Sequence, residues 1–449
     1  MRLLPLNNSK LWILFASLFV ILLGALTAGT ISKSGGLLFQ HLTANATPFS
    51  GKKGNKLLTE PQAKVIPKKL MSQIDISKAQ NYDGKYIQVT PEGAKVFFTI
   101  DPLLQSSAKK LLDNSNLLAG AIVAMDVKTG KILAMVEYRS SEYSEETIPV
   151  FFSSRHPAAS IFKIITAAAL LEKNAVLPET TVCYHNGLRK ILASHLEDDP
   201  KRDRLCATLS FAMGKSINPV FAKLAYKNLS VDELRKAAVS FGFGEEIPLI
   251  YSTTPAVSSA DIPEDKLEFA RTAAGFWHTT LSPLHAAMIA QAVANEGAMM
   301  KPIIIEKIED NSGKIIWQSS PQIWMQSTTA ENAKTLTKMM VETVTRGTAK
   351  EYFSGLGPSE CIQSKEIAGK TGSLSKQDPF RFYSWFTGFA PISKPQIAVS
   401  ALAVNAEKWT SKGAILVRKF LPKTLPCSRV DSKNKKQKII QKVRPVDSK

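Results

Sequence analysis

The chain has 449 residues, 44% hydrophobic and 21% charged, which supplies at least one large core and excludes a generally disordered protein. Lys and Arg number 57 against 38 Asp and Glu, a net charge of +19. The excess gathers in two flanks, 33–78 and 429–449, and no aromatics are interleaved with the cations, which argues against a nucleic-acid partner. Arg2 and Lys10 precede an uncharged apolar run over 11–31, "LWILFASLFVILLGALTAGTI". That run matches the ~20 residues a helix needs to cross a bilayer. Its exit, Ala25-Leu26-Thr27-Ala28-Gly29, places Leu where a cleavage site wants a small residue, so it reads as an uncleaved single-pass anchor. Basic residues before the anchor put residues 1–10 in the cytoplasm and the rest outside the inner membrane.

Residues 32–90, rich in Lys, Ser, Gly, Pro and Gln, read as a linker, 91–428 as the folded domain, and 429–449 as a basic tail without packed structure. The domain opens with the apolar strand "KVFFTI" and a helix start at Asp101-Pro102. "AGAIVAMDVKTGKILAMVEY" gives two strands joined at Lys128-Thr129-Gly130, a hairpin whose Gly suits the turn. A helix follows over 157–173, and most segments between 205 and 345 have helical periodicity. Strands return after 365 in "KEIAGKTGS", "YSWFTGFAPI" and "QIAVSALAVN", and "GAILVRKFL" reads as a covering helix. Strands at both ends of the domain around a helical insertion predict an α+β fold with one antiparallel sheet.

Three short motifs carry the chemistry. Ser160 and Lys163, three apart at a helix start, share a face, so the amine can take the hydroxyl proton once burial lowers its pKa. Ser-x-x-Lys recurs elsewhere, for example at Ser106 and Lys109, but only Ser160 fronts an apolar, Ala-rich helix that buries its lysine. Ser216-Ile217-Asn218, just before Pro219, offers a hydroxyl to relay a proton and an amide to hold a backbone, or simply caps a helix. Lys370-Thr371-Gly372-Ser373 lies in a strand where an inward Lys and a Gly are both unfavourable, and the Gly marks close approach of another backbone. A peptide adding to that strand as a new edge would use it, with Lys370 and the hydroxyls gripping an anionic end. Cys183 and Cys206 bracket a polar loop, an arrangement satisfied equally by a disulfide and by buried thiols; Cys361 and Cys427 complete the set. The cysteine spacings match no metal site, and no metal or cofactor is expected.

In this order, with "TIDPLLQSSAKKLL", "GKSINPVFAKLA", "TRGTAK" and "SWFTGFAPI" around them, the motifs resemble those of the penicillin-binding transpeptidases, specifically monofunctional membrane-anchored ones. The resemblance spans roughly 95–420 and implies the transpeptidase/β-lactamase fold, a sheet of about five strands flanked by helices plus a mostly helical subdomain. It implies a peptidoglycan D,D-transpeptidase in cell-wall synthesis, acting on D-Ala-D-Ala stem peptides, acylated by β-lactams, and partnered by the membrane and other wall-synthesis proteins. By the same resemblance Ser160 is the nucleophile, Lys163 its base and Ser216 the proton relay. Asn218 holds the stem peptide; Lys370, Thr371, Gly372 and Ser373 bind the carboxylate; the backbone N–H groups of Ser160 and Ser373 form the oxyanion hole. Ala159 stands where the family usually has Gly, and Ile161 where it has a hydroxyl residue. The stretch before residue 91 is shorter than a glycosyltransferase module or a large pedestal domain. A D,D-carboxypeptidase, a β-lactamase and a membrane-anchored scaffold without activity are the alternatives; no Glu-x-x-Leu-Asn pattern supports the β-lactamase.

Overall fold

The computed structural model describes residues 66–144, 147–251, 253–357, 362–406 and 411–425. The expected membrane anchor over 11–31, the basic tail, Cys361 and Cys427 lie outside the described residues. Among the described residues no helix is long and apolar enough to cross a membrane.

A five-stranded antiparallel sheet carries the site. Its strands are β1 (Ala119–Asp126), β2 (Ile132–Arg139), β3 (Ala368–Gln377), β4 (Phe380–Ala390) and β5 (Ile397–Asn405). They run in the order β3-β4-β5-β1-β2, so residues more than 200 positions apart, such as Ile397 and Asp126, pair between β5 and β1. Every residue of β5 is buried, because both faces of this central strand are covered, which explains its nearly unbroken apolar run.

The helices longer than four residues, in chain order, are α1 (Pro102–Asp113), α2 (Lys163–Glu172), α3 (Leu209–Lys215), α4 (Asn218–Asn228), α5 (Val231–Ser240), α6 (Lys266–Ala273), α7 (Pro283–Ala294), α8 (Ala330–Thr345) and α9 (Gly413–Phe420). Asp101 caps α1, accepting from the amides of Leu103 and Leu104 at 2.8 and 3.0 Å. Helix α7 is buried along its whole length and packs on one face of β5, β1 and β4. Two polar residues on that sheet face are satisfied by it: the Thr387 hydroxyl donates to the Ala286 carbonyl at 2.6 Å, and Ser400 to Pro283 at 2.5 Å. Helix α9 covers β4 and β5, as the final apolar stretch predicted, and α1 packs against β2.

Residues 66–90, read from the sequence as linker, belong to the folded part. Gln80–Tyr82, Lys85–Val89 and Lys95–Phe98 join Ile305–Glu309 and Ile315–Gln318 in a second five-stranded sheet. Lys95–Phe98, part of the apolar strand read from the sequence, pairs with Ile305–Glu309, more than 200 residues on, and the two shorter strands before it join the sheet through it. Buried Gln88 reinforces this by donating to the Gln73 carbonyl at 2.7 Å and accepting from the Asp75 amide at 2.8 Å. Strands between α7 and α8 interrupt the insertion over 205–345, most of whose segments were read as helices.

Candidate active site

Ser160 sits in a 3-10 turn, Ala159–Phe162, that feeds directly into α2. Three contacts fix this turn against the sheet. The Trp385 indole N–H donates to the Pro157 carbonyl at 2.9 Å, and the Ala158 amide donates to the Thr279 carbonyl at 3.1 Å. Gly372 supplies the third: a Cβ built there would lie 3.2 Å from Ile161 and 3.3 Å from the Ala158 carbonyl, so the turn occupies the space a side chain would take. Ala159, just before the serine, has φ +49°, a left-handed conformation that costs an L-residue about 1 kcal/mol.

The first turn of α2 buries Lys163 completely. Its amine donates to Ser160 Oγ at 2.9 Å, to Asn218 Oδ1 at 2.6 Å and to the Ala274 carbonyl. Burial, aided by the charge of Lys370, holds the Lys163 pKa well below that of a free lysine. A neutral amine so placed keeps its two N–H bonds for Asn218 and Ala274 and turns its lone pair to the Ser160 hydroxyl, which is what activation of that hydroxyl requires.

Ser216 ends α3 in the left-handed region, φ +56°, and α4 begins two residues later with Pro219 in its first turn. This break swings Ser216 and Asn218 to the mouth of the same cleft. The Asn218 amide is used on both sides, its oxygen on Lys163 and its nitrogen donating to the Leu188 carbonyl at 2.6 Å. Leu188 lies in a loop closed by the Cys183–Cys206 disulfide, which bridges directly opposed residues of a two-stranded ribbon. Behind that ribbon burial pushes the Asp203 carboxyl up, but the Asp199 amide, the buried Lys223 amine donating at 2.6 Å and His185 outweigh it and hold that carboxyl far below the usual carboxylate range.

Lys370-Thr371-Gly372-Ser373 runs along β3, the edge of the main sheet, without a bulge. Lys370 pairs with Thr387 and Gly372 with Trp385 in register, while Thr371 and Ser373 alternate to the other face. The Lys370 amine is fully buried and donates to the Thr371 carbonyl at 3.0 Å; burial pulls its pKa down to about 7. Thr371 Oγ1 lies 2.5 Å from Thr348 Oγ1.

These elements enclose a cleft of about 250 Å³. Ser160, Ser216, Asn218, Thr371 and Ser373 all line it, whereas Lys163 and Lys370 are sealed behind its wall. Thr348, Tyr352, Ser384 and Lys412 also line it, and the motif reading had not singled them out. Thr348 and Ser384 left traces, inside the quoted "TRGTAK" and "SWFTGFAPI"; Lys412 reaches the cleft through chain topology that no local pattern encodes. Among the described residues no group of His, Cys, Asp and Glu is arranged to hold a metal ion. The arrangement is that of an activated serine beside a hydroxyl-lined groove.

The sequence matches the penicillin binding protein transpeptidase domain over residues 120–421. It is 26% identical over 351 residues to the peptidoglycan D,D-transpeptidase PbpA of Mycolicibacterium smegmatis, covering 70% of this chain and 67% of that protein. The crystal structure of PBPA from Mycobacterium tuberculosis superposes with a TM-score of 0.60 at 25% identity, over 74% of this chain and 81% of that one. The ceftriaxone acyl-enzyme complex of M. tuberculosis penicillin-binding protein A shares the fold, with a TM-score of 0.60 at 24% identity, over 75% and 81% of the two chains.

Proposed function

This chain belongs to the penicillin-binding protein transpeptidase family, and from that premise we propose that it is a peptidoglycan D,D-transpeptidase working through an acyl-serine intermediate. The observation that carries the reading is the continuous hydrogen-bonded line from Ser160 Oγ to Lys163 Nζ to Asn218 Oδ1, at 2.9 and 2.6 Å, with the amine fully buried. In this reading neutral Lys163 takes the Ser160 proton as Oγ attacks the carbonyl of the penultimate D-alanine. The oxyanion is stabilised by the backbone N–H groups of Ser160 and Ser373. Ser216 passes a proton to the departing amine, the C–N bond breaks, and D-alanine leaves an ester on Ser160. An acceptor amine then attacks that ester, forms the cross-linking amide and restores the serine.

Edge strand β3 supports the substrate half of the proposal, since it ends the sheet beside the cleft, where an extended stem peptide can add as another strand. A β-lactam would acylate Ser160 by the same attack. We assign residues 11–31 the role of anchoring the domain at the outer side of the cytoplasmic membrane, on the strength of their length, apolarity and preceding positive charges.

The test is covalent labelling by a fluorescent penicillin. The wild type is expected to be labelled stably and Ser160→Ala not at all; equal labelling of the variant would remove Ser160 from the role. A pentapeptide stem offered with an amine acceptor is expected to give the cross-linked product. Tetrapeptide alone, with the acceptor untouched, would make the protein a carboxypeptidase.

A further inference from the structure

Three lysines surround the cleft, and their environments differ. Lys163 and Lys370 are completely buried, their amines committed to Ser160, Asn218 and backbone carbonyls, and burial lowers both pKa values. Lys412 is half-buried on the cleft wall itself. It precedes α9, donates to the Tyr352 hydroxyl at 2.6 Å and holds its ammonium 5.3 Å from the centre of the Tyr352 ring. Among the described residues lining the cleft there is no carboxylate, and Lys412 is the only one that carries a cation. Thr348, Thr371, Ser373 and Ser384 add hydroxyls to the wall, beside the apolar Trp385 and Ala414.

That distribution has a chemical consequence. A carboxylate entering the cleft loses water and needs a charged donor in return, because neutral hydroxyls alone compensate a desolvated anion poorly. One of the hydroxyl protons is already used between Thr348 and Thr371. Lys370, the lysine of the strand motif, does not line the cleft, and its amine points to a carbonyl of its own strand. We infer that Lys412 is a specificity-determining residue that supplies the positive charge facing the terminal carboxylate of the acyl donor, with Tyr352 fixing its ammonium at the wall. The inference rests on the acyl-serine reading and assigns one part of that site. Lys370 then acts from behind the strand, and Thr371 and Ser373 supply neutral hydrogen bonds.

The test compares the second-order acylation of full-length protein by benzylpenicillin and by its uncharged methyl ester. The wild type is expected to prefer the acid. Lys412→Met should slow acylation by the acid about 10- to 100-fold, the range of a hydrogen bond to a charged group, and leave the ester within about twofold. The loss should fall on the binding constant of the acid rather than on the bond-forming rate. Lys412→Arg should restore most of the preference, and Tyr352→Phe should fall between. An unchanged acid-to-ester ratio in Lys412→Met would overturn the assignment. So would equal loss with both compounds, which would make Lys412 structural. Absence of any wild-type labelling would instead bring down the acyl-serine reading itself. Should Lys412→Met fail to fold, the ratio in Lys412→Arg and Tyr352→Phe decides, since a wild-type ratio in Tyr352→Phe together with a lost one in Lys412→Arg contradicts the proposed geometry.

Discussion

Lys128-Thr129-Gly130 sits at the tip of the β1–β2 hairpin, whereas Lys370-Thr371-Gly372 runs through edge strand β3 of the same sheet. In the first copy all three residues serve the turn. Exposed Lys128 donates to Asn295 Oδ1 at 3.0 Å, Thr129 Oγ1 and its amide both donate to Asp126 Oδ1, and Gly130 has φ +74°. In the second copy the lysine is fully buried, the threonine faces the cleft, and the glycine admits the turn that carries Ser160. Identical residue types thus differ through solvation: burial strips water from the Lys370 amine and pulls its pKa down to about 7, while the Lys128 side chain stands exposed at the turn.

The widest separation between the cleft and the hairpin turn should come from their lysines. Lys163→Met is expected to lower acylation about 10²- to 10⁴-fold, the range of a lost general base, and Lys128→Met to leave it within about twofold. Lys370→Met adds a pH signature. Burial is the main cause of the depressed Lys163 pKa, and the Lys370 charge pushes it lower still. Removing that charge raises the Lys163 pKa, so the base becomes neutral only at higher pH and the acid limb of the rate profile moves upward. A profile of acylation rate against pH that stays in place in Lys370→Met would show that the two amines do not communicate.

The glycines should separate in opposite senses. At Gly130 an added Cβ meets the Lys301 carbonyl at 2.5 Å on a backbone already at positive φ. Gly130→Ala is therefore expected to lose about 1–3 kcal/mol of stability and no activity per folded molecule. At Gly372 the backbone is ordinary, and the nearest contacts, 3.2–3.4 Å, are all with residues 158–161. Gly372→Ala should cost less stability and more acylation rate, because the displaced atoms belong to the turn bearing the nucleophile. Equal effects of both variants on thermal unfolding and on rate would erase the distinction.

The reading of these two copies shows what was legible from sequence. Hairpin, edge strand and the side-chain alternation of Lys370 and Thr371 follow from local periodicity and turn chemistry, as does the cap at Asp101. The three motifs were found because each sits where its residue types are locally unfavourable: a lysine in an apolar helix, a serine at a helix break, a glycine in a strand. The second sheet was missed because its first two strands are short, with only Gln88 buried, and the pairing of Lys95–Phe98 with Ile305–Glu309 is invisible over such a separation. Lys412 was missed for a related reason, since nothing around it conflicts with a plain helix start. The Leu188 carbonyl that orients Asn218 is a backbone group in a loop, and side-chain motifs carry no record of it.

The smallest contrast is the most specific, because it compares one hydrogen bond near each copy. Thr129→Ala removes the hydroxyl that donates to Asp126 Oδ1 at 2.6 Å in the hairpin turn. Trp385→Phe removes the indole N–H that donates to the Pro157 carbonyl at 2.9 Å, while the Phe ring keeps most of the buried packing opposite Gly372. Each is expected to cost about 1 kcal/mol of stability, the ordinary net value of such a bond. Their kinetic consequences should part. The hairpin variant keeps its acylation rate, because the turn at Thr129 touches no residue of the cleft. The Trp385 variant loosens the segment that delivers Ser160 to Lys163, so its rate should fall about threefold to tenfold, as expected when a reacting atom loses its positioning contact. Equal rates in two variants of matched thermal stability would mean that the Ser160 turn is held by Gly372 and the Ala158–Thr279 bond alone.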